Sequence, residues 1–384
     1  MAKAVYVGVD SKAHKMKKAY VGIGGKARKV KKMYIGVGGK ARLCYSAELD
    51  RYGMAAALAV ARYGVRTATV GNYALFAGGL KPDLTSTKTV DAYNTSLTKS
   101  TPAEMEYGRR YHAAASIGGY ALFTCGQEKT NGHEIFVGTT EVYNASLTRS
   151  SVLGMSDHDI GGRLNMGAAV VGKYALFAGG MADGLGNASG TVNVYDTSLT
   201  HTMATNLTGI PREYVRGASV GNYALFAGGQ QFEKKSNVLW EVYIVDAYDA
   251  SLTKTRATNL ESNKNRDAAA TVGNHAVFVG SPDFADIYDA SLTRTSAAIL
   301  STARTGLAAT TVGNYAIFSG GGVADFCDAS LTRSSIDTSM TGYKMGAATI
   351  GDYALFAGGY SGGSDKAYDD SRVTAYDSVE VYTA

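Results

Sequence analysis

Short runs of hydrophobic residues, separated by glycine-containing turns, fill the chain from residue 60 onward. One pattern occurs seven times: a small apolar run, a turn that begins with glycine, and an aromatic run. Glycine followed by a polar residue between two hydrophobic runs is typical of a hairpin turn, so each copy predicts two antiparallel strands. The copies are GNYALFAGG at 71, GGYALFTCG at 118, GKYALFAGG at 172, GNYALFAGG at 221, GNHAVFVGS at 273, GNYAIFSGG at 313 and GDYALFAGG at 351.

A second strand-turn-strand pattern follows each of the first six copies. Its turn begins with aspartate or asparagine, whose short polar side chain bonds to the backbone and reverses the chain. The copies are VDAYNTSLTKS at 90, EVYNASLTRS at 141, VYDTSLTH at 194, VDAYDASLTKT at 245, ADIYDASLTRT at 285 and ADFCDASLTRS at 324. Each unit therefore holds four antiparallel strands, and seven such units predict an all-β fold, a seven-bladed β-propeller.

The diglycine and tyrosine pattern resembles the Kelch family of propeller repeats. In this chain Ser-Leu-Thr stands where the Kelch pattern usually has a tryptophan-bearing stretch, which agrees with the single tryptophan, Trp240. The resemblance implies a Kelch-like ring of four-stranded blades around a central channel.

The ends of the chain predict how the ring closes. The seventh unit shows three strands up to Ala384, whereas CYSAELDRYG at residues 44 to 53 resembles YNASLTRS. We expect this N-terminal strand to complete the last blade and remove its exposed edge. The propeller is therefore predicted to span residues 44–384.

Residues 1–43 have a different pattern, a repeat of fourteen residues with tyrosine at each equivalent position. The glycines of each GGKA-like stretch suit a tight turn, so the segment predicts a small antiparallel meander, with one strand running from residue 28 to 37. So few strands scarcely hold a core, which indicates an attachment segment that needs a partner surface. The residues expected at that surface are Tyr6, Tyr20, Tyr34, Lys31 and Lys32.

Charge separates the same two parts. The chain has a formal net charge of +5, but residues 1–42 hold twelve Lys and Arg and one acid, a charge of +11 that leaves −6 for the rest. A basic strip of this kind binds either nucleic acid or an acidic protein, and we favour the protein because no base-reading motif accompanies it. Association between copies of this segment is a further possibility.

The YIGVGGKAR-type repeat resembles those at the N-termini of tail-associated structural proteins in phages of Gram-positive bacteria. This resemblance implies docking on a tail or other virion protein. Neither a signal peptide nor a membrane span is predicted, which agrees with a virion protein assembled in the host cytoplasm.

The predicted blades have two unlike faces. The turns between strands 1 and 2 and between strands 3 and 4 are nearly identical in all copies, whereas the other loops differ in length and composition, as at 181–190, 230–240 and 360–372. Variable loops on a rigid scaffold commonly bind ligands, so we place binding on that face. Its aromatic candidates are Tyr111, Tyr214, Trp240 and Tyr360, and the alternative for Trp240 is packing within a blade.

A cation also lies nine residues before six of the seven turn glycines, where the chain enters each blade. In the Kelch pattern such a residue either lines the channel mouth or bonds the carbonyls at the blade entry, and both alternatives stay open. At the mouth, the cations would attract carboxylate, sulfate or phosphate groups. They are Arg62, Arg109, Arg163, Arg212, Lys264 and Arg304, with Gly342 as the exception.

Catalytic signatures are missing from the sequence. The six histidines lie in different units without metal-ligand spacing, and no serine-hydrolase, zinc-protease or phosphate-loop motif occurs. We therefore expect no cofactor, no metal and no enzyme activity, and predict a binding protein that recognises a bacterial surface glycan or protein. The alternatives are an intracellular interaction module that recruits an acidic peptide and a glycan-active enzyme of the propeller type.

Overall fold

The structure is a computed structural model. It describes residues 6–9, 12–15, 20–23, 26–30, 32–37, 40–46, 49–152, 162–182, 187–233, 238–261, 266–281, 283–362 and 373–384. Every regular element in these ranges is a β-strand, which confirms the all-β prediction.

The N-terminal repeats form three β-hairpins. Each is a separate two-stranded sheet, because the residues on either side of each turn pair with one another. The expected meander, with one strand through residues 28–37, is wrong, since pairing stops at Lys29 and resumes at Lys32, and Lys31 lies outside the described residues. The strands are β1 (Tyr6–Val9), β2 (Lys12–Lys15), β3 (Tyr20–Ile23), β4 (Lys26–Lys29), β5 (Lys32–Val37) and β6 (Lys40–Ser46).

Seven four-stranded antiparallel sheets, the blades, follow the hairpins, as predicted. We number the strands of each blade 1 to 4 from the channel outward. Blade 1 holds β8 (Arg66–Val70), β9 (Tyr73–Ala77), β10 (Val90–Asn94) and β11 (Lys99–Ser100); blade 2 holds β12 (Ala113–Ile117), β13 (Tyr120–Thr124), β16 (Thr140–Asn144) and β17 (Arg149–Val152); blade 3 holds β18 (Gly167–Val171), β19 (Tyr174–Ala178), β20 (Val192–Asp196) and β21 (His201–Ala204).

The remaining four blades continue the same order. Blade 4 holds β22 (Arg216–Val220), β23 (Tyr223–Ala227), β26 (Val245–Asp249) and β27 (Lys254–Arg256); blade 5 holds β28 (Arg266–Val272), β29 (His275–Gly280), β30 (Phe284–Asp289) and β31 (Arg294–Ala298); blade 6 holds β32 (Ala308–Val312), β33 (Tyr315–Gly320), β34 (Val323–Asp328) and β35 (Arg333–Asp337); blade 7 holds β36 (Gly346–Ile350), β37 (Tyr353–Ala357), β40 (Val379–Thr383) and β7 (Asp50–Ala55).

Three blades carry an extra two-stranded sheet between strands 2 and 3. These are the longest of the loops that the sequence marks as variable. Their strands are β14 (Gln127–Thr130) with β15 (His133–Phe136) in blade 2, β24 (Gln230–Glu233) with β25 (Val238–Glu241) in blade 4, and β38 (Tyr360–Ser361) with β39 (Thr374–Ala375) in blade 7.

The ring closes as predicted. Strand β7, at residues 50–55, pairs antiparallel with β40 and forms the outer strand of blade 7. The first strands of neighbouring blades contact one another all the way round, including β36 of blade 7 with β8 of blade 1. Closure therefore uses a strand from each end of the propeller.

The hydrophobic core lies between the blades. Each blade's strand 2 supplies a fully buried Leu-Phe, Val-Phe or Ile-Phe pair, and the phenylalanine contacts an aromatic ring of strand 3 edge to face in six blades. Buried clusters join each blade to the next, as in the cluster that holds Leu355 and Val379 of blade 7 with Phe76 and Tyr93 of blade 1. Stacking of blades thus buries faces that one blade alone would expose.

Candidate functional site

A cavity of about 1080 Å³ opens at one mouth of the central channel. Its wall includes strand 1 residues of all seven blades and entry-loop residues of every blade except blade 5, together with residues of the loops between strands 2 and 3. These are the loops that differ between blades. We call the side with this cavity the variable face, and the side with the turns between strands 1 and 2 and between strands 3 and 4 the repeated face.

In six blades, the residue seven positions before the turn glycine lines the cavity and has a left-handed backbone conformation. Four of the six are not glycine, although a side chain in this conformation costs about 1–2 kcal/mol. We call these six residues the rim. They are Gly64, Tyr111, Asn165, Tyr214, Gly306 and Lys344, with φ angles between 53° and 68°.

Hydrogen bonds between neighbouring blades hold the rim backbone in place. The N–H of Asn165 donates to the Tyr111 carbonyl at 3.0 Å, and the N–H of Tyr214 donates to the Asn165 carbonyl at 2.9 Å. Across the closure, the N–H of Gly64 donates to Lys344 and that of Lys344 to Gly306, at 2.8 and 2.7 Å. Because backbone groups make these bonds, the side chain at each rim position can differ between blades without breaking them.

Four members of the predicted arginine ring lie beneath the cavity wall and not in it: Arg62, Arg109 and Arg212 have fully buried side chains, and Arg163 is 2% exposed. Arg304 is half-buried and lines a smaller pocket that shares Ser281, Thr305 and Tyr343 with the cavity wall. The burial of the four arginines favours the structural alternative of the two that the sequence leaves open.

Each buried arginine ties the entry loop of its blade to strand 3. The Nη2 atom of Arg212 lies 2.8 Å from Asp246 Oδ2, and the same carboxylate accepts the Thr208 N–H of the entry loop at 3.0 Å. Arg62 makes the equivalent ion pair with Asp91 at 2.8 Å. The other equivalent pairs are Arg109 with Glu141 and Arg304 with Asp325.

Burial also shifts the acid-base equilibrium of these groups. Loss of hydration lowers the pKa of Arg62, Arg109 and Arg212, and this outweighs the opposing attraction of the neighbouring carboxylates. Arginine stays protonated in proteins, so the ion pairs persist at neutral pH. Removing one partner would leave the other charged and buried.

Two blades depart from the predicted pairing. Lys264 lies outside the described residues, and in blade 5 Arg266 makes the equivalent ion pair with Asp286. Blade 7 has Gly342 at the predicted position, and Glu380 of its strand 3 pairs with Arg51 from the closing strand β7. The sequence feature that could have indicated both cations is the acid in strand 3 of each of the two blades, because a buried carboxylate requires a cation nearby.

Blade 3 has Asn193 at the strand 3 position where the other blades have a carboxylate. Here Arg163 donates to the carbonyls of Gly179 and Thr191 and to the Thr191 hydroxyl, at 2.8, 3.2 and 2.6 Å. The common role of this position is therefore to bond the chain at the blade entry.

A second set of cations does line the cavity. Arg66 and Arg216 begin strand 1 of blades 1 and 4, five residues before the turn glycine, where the other blades have alanine or glycine. Each donates from Nε to a backbone carbonyl of the next blade, Arg66 to His112 at 2.8 Å and Arg216 to Asp267 at 2.7 Å. Sequence reasoning missed them because they occur in two copies only, which hides them in a search for repeated residues.

Three further cations reach the same wall. Lys344 belongs to the rim, and Arg110 and Arg266 are buried beside carboxylates, Arg110 with Glu134 at 3.0 Å and Arg266 with Asp286. The acids that line the described wall are Glu241 and Asp267, in blades 4 and 5. Among the described residues of the wall, cations therefore outnumber acids.

The predicted aromatic residues divide into two groups. Tyr111, Tyr214 and Tyr360 line the cavity, with Tyr111 and Tyr214 half-buried on the rim. Trp240 does not line it and does not pack into a blade, since its side chain is 53% exposed on β25, where the adjacent Leu239 and Glu241 point to the cavity. Alternation along a strand explains this, because neighbouring side chains point to opposite sides.

The repeated face has a steric explanation for its uniformity. Each turn glycine has a positive φ and packs against the small residue that follows the first Asp or Asn of the next blade's turn; in the closing contact, Gly313 packs against Ala384. A Cβ atom built on Gly221 would lie 2.7 Å from the Cβ of Ala290. The pairs are Gly71 with Ala145, Gly118 with Thr197, Gly172 with Ala250, Gly221 with Ala290, Gly273 with Ala329, Gly313 with Ala384, and Gly351 with Thr95.

The described residues include no cluster of three or more His, Cys, Asp or Glu that could hold a metal ion. The described part also has no helix long and apolar enough to cross a membrane. The attachment residues Tyr6, Tyr20 and Tyr34 lie in strands β1, β3 and β5, and Lys32 begins β5.

Comparison with known proteins supports the fold. No family model and no curated protein sequence matches the chain. Among solved structures, the structure of YjhT is similar, with a TM-score of 0.52 and 13% sequence identity over 86% of this chain and 99% of that one. At this identity the likeness concerns the propeller fold alone.

Proposed function

We propose that this chain is a non-catalytic binding protein, a tail-associated appendage of a phage or prophage whose variable face binds a ligand on the bacterial surface. The observation that carries the proposal is the cavity: all seven blades contribute to its wall, and the side chains they place at equivalent rim positions differ. A rigid ring with a variable mouth is a suitable scaffold for recognition.

The N-terminal hairpins support the attachment part of the proposal. Two-stranded sheets are marginally stable alone, and three of them in sequence carry the basic repeats. Their charge of +11 repels a second copy of the same segment and attracts an acidic surface. We therefore assign residues 1–43 to docking on an acidic virion protein.

Binding of the purified full-length protein to bacterial cells or isolated wall polysaccharide tests the proposal. The informative variant is the double substitution Tyr111→Gly and Tyr214→Gly, because glycine adopts the rim conformation without strain. We expect binding to fall at least tenfold. The matched control is Met203→Ser, which changes an apolar side chain 54% exposed on the outer strand of blade 3.

Three results would contradict the proposal. Absence of binding to every cell surface tested, with recovery of a cytoplasmic protein partner, would favour the intracellular interaction module. Turnover of a glycan by the purified protein would favour the enzyme alternative. Equal loss of binding in the rim variant and the control would show that the cavity is not the site.

A further inference from the structure

Charge is distributed unevenly around the cavity. Among the described residues of the wall, the charged ones on the side of blades 7 and 1 are Lys344 and Arg66, and the two acids lie in blades 4 and 5. The cations of blades 4 and 5, Arg216 and Arg266, therefore share their side with Glu241 and Asp267. We call the side of blades 7 and 1, where the described charged residues are cations, the cationic half, and the opposite half is mixed.

The cationic half is held in place by the seam between blades 7 and 1. The N–H of Gly64 in blade 1 donates to the Lys344 carbonyl of blade 7 at 2.8 Å. This bond fixes the backbone of Lys344 against blade 1, at a point two residues before Arg66. The Arg66 guanidinium is fixed in turn by the bond from Nε to the His112 carbonyl. Both side chains are half-buried, so their charges face a partly dehydrated wall. An anion bound there would interact more strongly than at an exposed surface.

Aromatic rings lie beside Lys344. Its ammonium lies 5.7 Å from the centre of the Tyr360 ring, which packs against Tyr63 and Tyr343 at 5.0 and 6.3 Å between ring centres. Tyr63 and Tyr360 are buried, and Tyr343, packed on Tyr360, is half-buried in the cavity wall. Tyr343 therefore offers an apolar surface for a sugar ring, and the two cations of this half offer charged donors for its acidic group.

We infer that the cavity binds an acidic saccharide, with its carboxylate, sulfate or phosphate held by Arg66 and Lys344 at the seam of blades 7 and 1. This inference rests on the proposed function of the cavity and specifies its ligand. The amide side chains of Asn165 and Gln230 and the acids Glu241 and Asp267, elsewhere on the wall, provide partners for the hydroxyl groups of the remaining sugar units.

Titration calorimetry with matched oligosaccharides tests the inference. The probes are an oligogalacturonate and the neutral oligogalactan obtained by reducing its carboxyl groups, a sulfated oligogalactan, a poly(glycerol phosphate) oligomer and an oligoglutamate peptide. We expect at least one anionic saccharide to bind at least tenfold more tightly than the neutral oligomer. The anion that binds most tightly identifies the acidic group.

Two variants, Arg66→Gln and Lys344→Gln, localise the binding. Each is expected to lower the affinity for the anionic probe at least tenfold, to leave the affinity for the neutral oligomer within twofold, and to reduce the salt dependence of binding. Arg333→Gln, an exposed arginine on the outer strand of blade 6, removes the same charge and should change neither affinity. Unchanged thermal unfolding of the variants would show that they remain folded.

The outcomes separate this inference from the proposed function. Equal affinity for neutral and anionic saccharides, or full binding by both variants, would overturn the inference while binding to cells and its dependence on the rim tyrosines still supported the proposed function. Tighter binding of the oligoglutamate than of any saccharide would also overturn it, in favour of a peptide ligand. Binding to no probe and to no cell would overturn both.

Discussion

The two faces of the propeller obey different constraints, although the same seven units build both. On the repeated face, each turn glycine meets a small residue of the next blade, and a Cβ atom added to the glycine would be closer than an ordinary contact in every blade except blade 7. On the variable face, backbone hydrogen bonds join the blades at the rim and leave the side chains to the cavity. Uniform sequence therefore marks the face where blades touch through side chains, and variable sequence marks the face where they touch through backbone.

The comparison also explains the buried ion pairs. The loops that enter each blade on the variable face differ in sequence, yet a carboxylate of strand 3 accepts a loop N–H in six blades, and a cation accompanies that carboxylate. The buried ion pair is thus an anchor that holds entry loops of different composition in the same position relative to strand 3. The loop sequences can vary because the carboxylate and cation beneath them are retained.

The largest effect should come from breaking the ring on which both faces depend. Deletion of residues 1–55 removes strand β7, exposes the edge of β40 and removes the Arg51 partner of buried Glu380. We expect this variant to aggregate or to lose cooperative unfolding. Deletion of residues 1–48 is the matched control, because it removes the hairpins and keeps β7.

Size-exclusion chromatography and thermal unfolding measure both deletions. A monomeric, cooperatively folded protein without residues 1–55 would show that closure by β7 is dispensable. Failure of the shorter deletion to fold would instead show that the hairpins and the propeller are not independent units.

Breaking one anchor beneath the variable face should have the next largest effect. Asp246→Ala leaves the fully buried Arg212 without its carboxylate, and loss of one partner of a buried ion pair costs about 3–5 kcal/mol. The free energy of unfolding from urea titration measures the cost. Asp337→Ala, at an exposed position of β35, should change it by less than about 0.5 kcal/mol; equal effects would remove the distinction between anchor and surface.

Glycine substitutions compare the two faces directly. Gly221→Ala on the repeated face combines a positive φ of 52° with a Cβ contact of 2.7 Å, and we expect a loss of about 2–3 kcal/mol. Gly64→Ala on the rim has a φ of 68° and no atom within 4 Å, so strain alone should cost about 1 kcal/mol.

Gly119→Ala completes this series, because Gly119 occupies a turn with open space around it and no positive φ. It should change the free energy of unfolding by less than about 0.5 kcal/mol. If all three substitutions cost the same, steric contact does not account for the uniformity of the repeated face.

The smallest effect concerns the buried tyrosines in the blades between the two faces. It should depend on neither the turns of the repeated face nor the rim of the variable face. Burial raises the pKa of Tyr195 to about 12 from its ordinary value of 10. The unfolded chain therefore loses this proton first, and stability falls as pH rises from about 10 to 12. Tyr195→Phe should flatten the dependence of unfolding free energy on pH over this range, whereas Phe at the exposed Tyr243 should not; equal slopes in all three proteins would contradict this origin.

Repetition made the fold accessible from sequence. Seven copies of the turn that begins at Gly71, with six copies of the turn that begins at Asn94, fixed the number of blades and their strands. The similarity between the Arg51 segment and the fourth strands of other units also identified the closing strand. These features repeat because every blade must satisfy the same contacts with its neighbours.

The candidate site was harder to predict because its residues differ between the copies of the repeat. Arg66 and Arg216 replace the alanine or glycine of the other blades, so a search for repeated cations selected the buried arginines instead. In blade 5 the role expected at Lys264 belongs to Arg266, two residues later, because β28 begins with a register shift near that residue. Exposure of Trp240 depended on the extra hairpin of blade 4, which has no counterpart in the basic repeat unit.

The backbone bonds of the rim have a consequence for how this protein can change over time. Because backbone bonds between neighbouring blades hold the left-handed conformation, the fold accommodates tyrosine, asparagine and lysine there despite the strain of a side chain. Exchanges among these residues change the side chain at the cavity and leave the bonds between blades in place. The ring thus allows the side chains around the cavity to change over time while the contacts that hold the blades together stay the same.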